Sequence, residues 1–561
     1  MADADALPRR RGWAEWALIV LLHAAGLVTI YVTEHGLFAQ SLALMTWAFL
    51  NLVWIMLLRR PILSAALSLA MIGVLIVLSE FKHSILQINL TFLDFLIIDQ
   101  DTVAFLLAIF PQLRIILFAG IVVALPLIWL FWRQDTRRIR RRTALAGVVA
   151  CLGGVVASST AWPEMPWEPF SGVNHVSNFA RSGVAQVSYL VMNDWLEADR
   201  KAVSQIQGVA HETCTPATKP PHIIMVLDES SFDITAAPGI KVPEGYKDYF
   251  KSLDGKQRSF IAEATGGPTW YTEFNVLTGL SSRSFGALKF YVTRIAAGRV
   301  GRGLPQALKR CGYRTYSLYP TYGNFLSART FQTSAGMSRF IDMQEMGVTE
   351  DMQQDEFYFD QASHLFGREQ GKGDPIFMFV YLTANHFPWT NVYRPDLTPG
   401  WTGYGNSAEV DEYIRRQRMT ARAYDSFRQQ LARDFPDEQF LLVRFGDHQP
   451  AISHKLLEPG LDPQAVSARV RLYDPRYFTT YYAFDAINYT PKDLSSALGR
   501  LDAAYLPIAI QETAGLPLDA TFAEQKKVML RCSGLFYACQ SGAEARRFNR
   551  LLIEAGLIKN L

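Results

Sequence analysis

Residues 13–163 are almost continuously apolar, broken only by two Arg-rich interruptions and one mixed loop. A helix that crosses a bilayer needs about 20 mostly apolar residues. Five stretches meet that requirement: 13–32, 38–58, 62–78, 115–132 and 143–162, the third being the shortest. The first is too long for a cleaved signal segment, and no small-residue cleavage site follows it. The chain is 19% charged, against about 25% in soluble domains, and the deficit lies in this part. A fully soluble protein, a disordered chain and a small disulfide scaffold are excluded.

Arginine clusters orient the spans, because cytoplasmic loops carry the excess of Lys and Arg. Arg9, Arg10 and Arg11 precede the first span, Arg59 and Arg60 follow the second, and the run 133–142 separates the fourth from the fifth. The alternate loops carry Glu34, Glu80, Asp94, Asp99 and Asp101. This alternation predicts the N-terminus inside and the C-terminus outside the cytoplasmic membrane. The loop 80–113 is apolar but interrupted by Asp, which suits an interfacial or re-entrant segment; a sixth span there would bury Asp94 or Asp99 in lipid at high cost. His23 is the one ionisable side chain well inside a span. A transporter would show paired intramembrane charges, so His23 is expected to be a satisfied polar group. The segments assigned to the cytoplasmic face hold eleven Arg against three Asp, which leaves the rest of the chain net acidic. No basic face remains for a nucleic acid.

Residues 164–220 read as a linker. It has a Pro- and Trp-rich start, a partly amphipathic helix over 174–206, and a break at TPATKPPH. From 221 the pattern changes. HIIMVLD, YRTYSLYP, IFMFVYLT and FLLVRFGD are short apolar runs of the kind that form buried strands. Helical patterns over 303–310 and 411–435 lie between them. This alternation predicts an α/β domain with a largely parallel sheet. Ligands of such sheets gather beyond the carboxyl ends of the strands. There the chain places Glu229 after the first strand, His386 after the third, and Asp447 and His448 after the fourth. Gly266-Gly267-Pro268 reads as a turn, and Thr269 as the cap of the next helix, a natural site for phosphate. Glu, Asp and His with a Thr oxygen suit one divalent cation, Mn²⁺ or Zn²⁺. Cys151 falls in the fifth span. Cys214, Cys311, Cys532 and Cys539 fall in the exported part, which fits an oxidising compartment. Of these, Cys532 and Cys539 are the closest pair in sequence.

The motifs VLDES, GGPTWYTEF, YGNFLSARTFQTSAGMSRFID, LTANHFPW and RFGDHQP occur in this order. They resemble the sulfatase-like branch of the alkaline phosphatase superfamily. More narrowly, they are similar to the lipoteichoic acid synthase and phosphoglycerol transferase group, with the phosphoethanolamine transferases as the related branch. The resemblance covers about residues 221–515 and implies a sulfatase-like catalytic domain there, and the five-helix transmembrane bundle over 1–163 matches that group's architecture; the linker occupies 164–220, and a C-terminal helical cap is expected over 516–561. It implies that Glu229, Thr269, Asp447 and His448 bind the metal. Thr269 would be the nucleophile, Arg329 would grip the substrate phosphate, and His386 would bind substrate and act as acid or base. Two positions depart from the group: Ser327 stands where the lipoteichoic acid synthases have Trp, and Pro320 where they have a His that touches glycerol. The C/S-x-P-x-R motif of true sulfatases is absent, which argues against sulfate ester hydrolysis. The resulting expectation is a multi-pass inner-membrane transferase with its catalytic domain on the periplasmic side. It would move a phosphoglycerol headgroup from phosphatidylglycerol, or phosphoethanolamine from phosphatidylethanolamine, to a glycan or lipid acceptor. A membrane-anchored hydrolase and a non-catalytic binding protein are the rival readings.

Overall fold

The computed structural model describes residues 6–86, 88–97, 112–165, 167–199, 214–216, 218–348, 353–559 and 561. The chain forms two compact units, Met1–Met192 and Asn193–Leu561.

The first unit is helical: α1 (Ala6–Thr33), α2 (Leu37–Leu58), α3 (Pro61–Leu86), a short α4 (Phe92–Ile97), α5 (Gln112–Gln134), α6 (Arg141–Ala161) and α7 (His175–Asn193). Within it α2 packs against α3 and α6. Among the described residues, four helices are long and apolar enough to cross a membrane: Trp13–Thr33, Leu37–Leu58, Pro61–Ser84 and Arg141–Ala161. The expected fourth span at 115–132 lies in α5, where the apolar stretch Phe118–Gln134 falls short of that length and Pro126 sits inside the helix. The expected third span, ending at 78, instead continues to Ser84. Beyond its apolar run, Lys82 pairs with Asp94 of α4 at 2.9 Å. Asp94 thus has a polar role at the end of a span. The rest of the 80–113 loop, from 98 to 111, lies outside the described residues. His23 is satisfied inside the helix bundle: Nδ1 meets the Ile19 carbonyl at 2.7 Å and Nε2 meets the Asn51 amide at 3.2 Å.

Part of the expected linker belongs to this unit. Buried Glu34 accepts from the backbone N–H of Val176 at 2.8 Å and the Ser177 hydroxyl at 2.6 Å. A carboxylate there offsets the unpaired donors at the start of α7.

The second unit is built on an eight-stranded sheet. Its strands are β1 (His222–Asp228), β2 (Arg258–Ile261), β3 (Arg314–Leu318), β4 (Arg339–Ile341), β5 (Ile376–Tyr381), β6 (Phe440–Gly446), β7 (Thr479–Ile487) and β8 (Arg500–Asp502). Their order is β8-β2-β7-β6-β1-β5-β3-β4. Every pairing is parallel except the two made by β7. The apolar runs in the sequence become β1, β3, β5 and β6. The edge strands β4 and β8, and β2 beside β8, are only three or four residues long, too short to show a period. The antiparallel β7 reads TTYYAFDAI, with Asp485 in its buried pattern.

On one sheet face, Ile224, Val226, Met378, Val380 and Leu442 pack with Phe359 and Phe366 of α10 and with Tyr424 and Phe427 of α11. Here α8 is Thr269–Thr278, α9 Leu304–Arg310, α10 Asp355–Glu369 and α11 Ala408–Asp434. Phe359 and Phe427 stack with centroids 4.5 Å apart. Near the C-terminus, α12 (Ala520–Arg531) and α13 (Ala543–Glu554) close over buried Arg302. Its guanidinium bonds Thr521 Oγ1 at 3.1 Å and Gln525 Oε1 at 2.9 Å. Disulfides join Cys214 to Cys311 and Cys532 to Cys539, and Cys151 is free.

The centre of the sheet is tight where β6 ends. A Cβ on Gly446 would lie 1.8 Å from the Ser231 carbonyl oxygen, closer than any two atoms can pack, so only glycine fits. Gly446→Ala is expected to destabilise the full-length protein in detergent by about 3 kcal/mol or more. A thermal midpoint equal to that of the wild type would show that this approach is not tight.

Candidate active site and metal centre

Parallel pairing of β1 with β6 sets Asp228 opposite Gly446. The next residues, Glu229 and Asp447, therefore leave adjacent strands side by side at the carboxyl edge of the sheet. His448 follows in a two-residue strand that pairs with Ala264–Thr265, placing Ala264 beside His448. That pairing carries the Gly266-Gly267-Pro268 turn over the strand ends, with the Gly266 N–H donating to the Gln449 carbonyl at 2.8 Å. Gly266 (φ 76°) and Gly267 (φ 149°) are in backbone regions that other residues rarely adopt. The turn delivers Thr269 to the first position of α8.

Thr269 does not cap that helix. Pro268 occupies the cap position and no side-chain capping bond forms. The expected capping role is thus corrected: proline supplies the fixed φ that starts the helix, and the Thr hydroxyl is released from that task. Thr269 Oγ1 instead lies 3.4 Å from Glu229 Oε2 and 3.4 Å from the Gly267 carbonyl, at the positive end of the helix dipole.

Glu229, Asp447 and His448 are buried and present one ligand atom each, all within 4.8 Å of one another. His448 Nε2 is 3.5 Å from Glu229 Oε1 and 3.4 Å from Asp447 Oδ2. His448 Nδ1–H donates to the Gln449 carbonyl at 2.9 Å, which leaves Nε2 as a lone pair facing the two carboxylates. Asp447 Oδ1 accepts the backbone N–H groups of Ser230 (2.8 Å) and His448 (2.9 Å). Asp447 Oδ2 and His448 Nε2, however, have no hydrogen-bond partner although both are buried. Burial and the Glu229 charge push the Asp447 carboxyl well above the usual carboxylate range. Burial opposes a charge on His448, but the Asp447 and Glu229 carboxylates prevail and hold its pKa up. Two buried carboxylates and an imidazole gathered here, with Asp447 Oδ2 and His448 Nε2 left without partners, fit a divalent cation.

Several residues that hold this geometry gave no signal in the sequence. Ser230 adopts φ 51° and its hydroxyl donates to Glu229 Oε1 at 2.7 Å. Thr272, one turn into α8, donates to the Asp447 carbonyl at 2.6 Å. Asp228 is buried under the site, held by the Tyr481 (2.6 Å) and Tyr249 (2.9 Å) hydroxyls, and burial raises its pKa to about 6. His454 bonds Thr265 Oγ1 at 2.8 Å, and burial lowers its pKa to about 4, so it is neutral. Each is a common polar residue in an unremarkable local sequence, made special by neighbours far along the chain.

The other two expected site residues have different surroundings. Half-buried His386 donates from Nδ1 to the Phe387 carbonyl at 2.8 Å, leaving Nε2 as the acceptor. Its loop is held by buried Asp355, which accepts the N–H groups of Thr383 and Ala384 at 3.0 Å each. Arg329 is engaged by Asp342 (2.7 Å), Glu345 (2.8 Å) and the Phe340 carbonyl (2.9 Å). Neither His386 nor Arg329 is hydrogen-bonded to Thr269 or to the three candidate ligands among the described residues.

With this geometry in view, the family model described as Sulfatase matches residues 257–480. The chain carries a Sulfatase-type domain. Its stretch includes Thr269, Arg329, His386, Asp447 and His448; Glu229 lies just outside. Solved structures similar to this chain include the lipoteichoic acid synthase LtaP from Listeria monocytogenes, at 16% identity over 54% of this chain and 73% of that one, TM-score 0.41. The Streptococcus pyogenes phosphoglycerol transferase GacH, in complex with sn-glycerol-1-phosphate, matches at 14% identity over 60% and 87%, TM-score 0.45. The integral membrane lipooligosaccharide phosphoethanolamine transferase EptA from Neisseria meningitidis matches at 12% identity over 86% and 96%, TM-score 0.43. An uncharacterized protein of Haemophilus influenzae is 24% identical over 208 residues, 34% of this chain and 36% of its own length. The match thus spans about a third of that relative.

Two measurements check the centre. The full-length protein is expected to bind one Mn²⁺ or Zn²⁺, and His448→Ala is expected to weaken that binding by roughly 100-fold or more; retained affinity would remove His448 from the ligand set. One turn after Thr269, Glu273 is fully buried, bonded to Gln332 Nε2 at 2.8 Å, and burial raises its pKa to about 7. Its carboxyl binds a proton more tightly folded than unfolded, so it contributes stability at low pH. That contribution is lost as pH rises from about 4.5 to about 7. Glu273→Gln is expected to flatten the fall of thermal stability over this window, and an unchanged pH profile would show that Glu273 does not titrate there.

Proposed function

We propose that this protein is a membrane-anchored, metal-dependent transferase that moves a phosphoglycerol headgroup from a membrane phospholipid to a hydroxyl of a glycan or lipid outside the cytoplasmic membrane. One observation carries this reading: Thr269 Oγ1 is free of capping duty and 3.4 Å from Glu229, beside buried Asp447 and His448 atoms that have no other partner. With α5 counted as a fifth, shorter span, the Arg-rich loops orient the spans so that this centre lies on the outer side. Anchoring raises the effective concentration of a donor that cannot leave the bilayer.

Glu229, Asp447, His448 and Thr269 would hold one Mn²⁺ or Zn²⁺, which when bound lowers the pKa of a coordinated hydroxyl and polarises a phosphoryl oxygen. Thr269 Oγ attacks the donor phosphorus. The bond to the diacylglycerol oxygen breaks, diacylglycerol departs with a proton, and the phosphoglycerol group is left on Thr269. The acceptor hydroxyl then attacks the same phosphorus and gives its proton to His386 Nε2; the bond from phosphorus to Thr269 Oγ breaks, and the Thr269 oxygen regains the proton that His386 took up. The start of α8 favours the negative phosphoryl oxygens throughout. Arg329 joins them by exchanging its contact with the more exposed Glu345 while Asp342 holds the guanidinium in place.

Phosphatidylethanolamine as donor follows the same steps. Ser327 and Pro320, where the lipoteichoic acid synthases have Trp and His, keep that headgroup in play. Purified metal-loaded protein, given each lipid separately, is expected to release diacylglycerol from phosphatidylglycerol. Thr269→Ala should abolish release, and Arg329→Ala should lower it roughly 100-fold. Release from phosphatidylethanolamine alone would reassign the headgroup. Headgroup phosphate freed without a modified acceptor, when acceptor is supplied, would mark a hydrolase. Undiminished release by the Thr269 variant would overturn the mechanism.

A further inference from the structure

A second polar cavity lies in the Asn193–Leu561 unit, away from the metal ligands. Its volume is about 250 Å³, and it is lined by residues 397–401 and by Arg415, Arg418, Met419 and Arg422 of α11. Spacings of three, four and seven residues put those four side chains on one face of the helix. The lining contains three guanidinium groups and no carboxylate.

The charge balance there is incomplete. Glu412 serves Arg415 and Arg416 at once, with 2.7 Å contacts from each Nε, so one negative charge meets two positive ones. Arg418 donates to the Tyr404 hydroxyl, a neutral partner. Arg422 is exposed and makes no ion pair or hydrogen bond among the described residues. Arg415, by contrast, is fully buried and locked in place, bonded also to Thr398 Oγ1 and the Tyr393 carbonyl. The N–H groups of Arg415 are all taken by Glu412, Thr398, Met419 and Tyr393, so it forms a fixed base, and the two adjustable guanidinium groups at the rim, Arg418 and Arg422, supply the donors for an anion with several oxygens. The opposite wall is Trp401, half-buried and edge-on to Tyr404 at 5.2 Å. Its indole and Met419 give the lining an apolar side. The volume admits a phosphorylated monosaccharide but not an acyl chain.

We propose that this cavity binds the phosphate monoester of a sugar, with Arg418 and Arg422 on the phosphate and Trp401 against the ring. The neighbouring Arg416 donates to the carbonyls of His386, Pro388 and Asn391, so Glu412 ties the cavity wall to the loop that carries His386. Use of the cavity to anchor a phosphate-bearing glycan acceptor rests on the transferase reading; the binding itself does not.

The test is calorimetric titration of the full-length metal-loaded protein in detergent with glucose 6-phosphate, and separately with glucose and with inorganic phosphate. Saturable binding of glucose 6-phosphate, tighter than that of either fragment, is expected. Arg422→Ala and Trp401→Ala should each weaken it about tenfold or more, and both are surface changes that leave the core intact. Thr269→Ala should leave it unchanged, which separates this cavity from the metal centre. The proposal is overturned by no saturation up to about 10 mM, by inorganic phosphate or glucose binding equally well, or by insensitivity to both cavity variants. Loss of binding in Thr269→Ala would place the ligand at the metal centre and overturn it too. Failure of diacylglycerol release with intact binding would sink the transferase reading and leave this site standing.

Discussion

Two buried carboxylates at the ends of adjacent parallel strands are the constraint around which the Asn193–Leu561 unit is arranged. Asp228 pairs with Gly446 in register, so Glu229 and Asp447 emerge together with nothing between them. Like charges this close and this far from water repel strongly. Their burial is tolerable only beside a positive group, and the unsatisfied Nε2 of His448 completes a set of donors for a cation. The surrounding features follow from that demand. Gly446 permits the backbone approach to Ser231, Ser230 adopts a left-handed conformation so that its N–H reaches Asp447, and Thr272 ties α8 to the same turn.

The proposed nucleophile is placed by a different device. A proline takes the capping position of α8, which leaves the Thr269 hydroxyl without a local backbone task. Hydroxyls at helix starts commonly stabilise the helix by capping it. Giving up that bond costs some stability and leaves an oxygen beside the carboxylates. The same helix is held below by Glu273, Gln332 and Tyr381, so the first turn cannot drift from the metal ligands.

Much of the architecture was legible in the sequence because it rests on strong local signals. Four apolar runs were read as strands, and the central parallel strands β1, β3, β5 and β6 formed within them. The helices at 304–310 and 408–434 lay within a few residues of expectation. The short edge strands and the antiparallel β7 were not legible, since a three-residue strand has no period and a buried Asp485 disguises an apolar one. Asp485 is tolerated because Arg444, 41 residues away in sequence on the neighbouring strand β6, meets it at 3.0 Å. In the helical unit, composition marked the apolar segments, but not the continuation of α3 to Ser84 or the docking of α7 beside Glu34.

For the site, the sequence alone determined which chemistry is available: Glu229, Asp447 and His448 follow apolar runs, and a Gly-Gly-Pro turn precedes Thr269. Strand ends are where parallel sheets present polar groups, so these residues could be named one by one. Tertiary structure alone decided which of them meet. Strand order places β1 next to β6 and gathers three candidate ligands within 4.8 Å, while His386 stands on a separate loop and Arg329 is held by Asp342 and Glu345. Order in a sheet depends on long-range pairing, and a linear pattern carries no term for it.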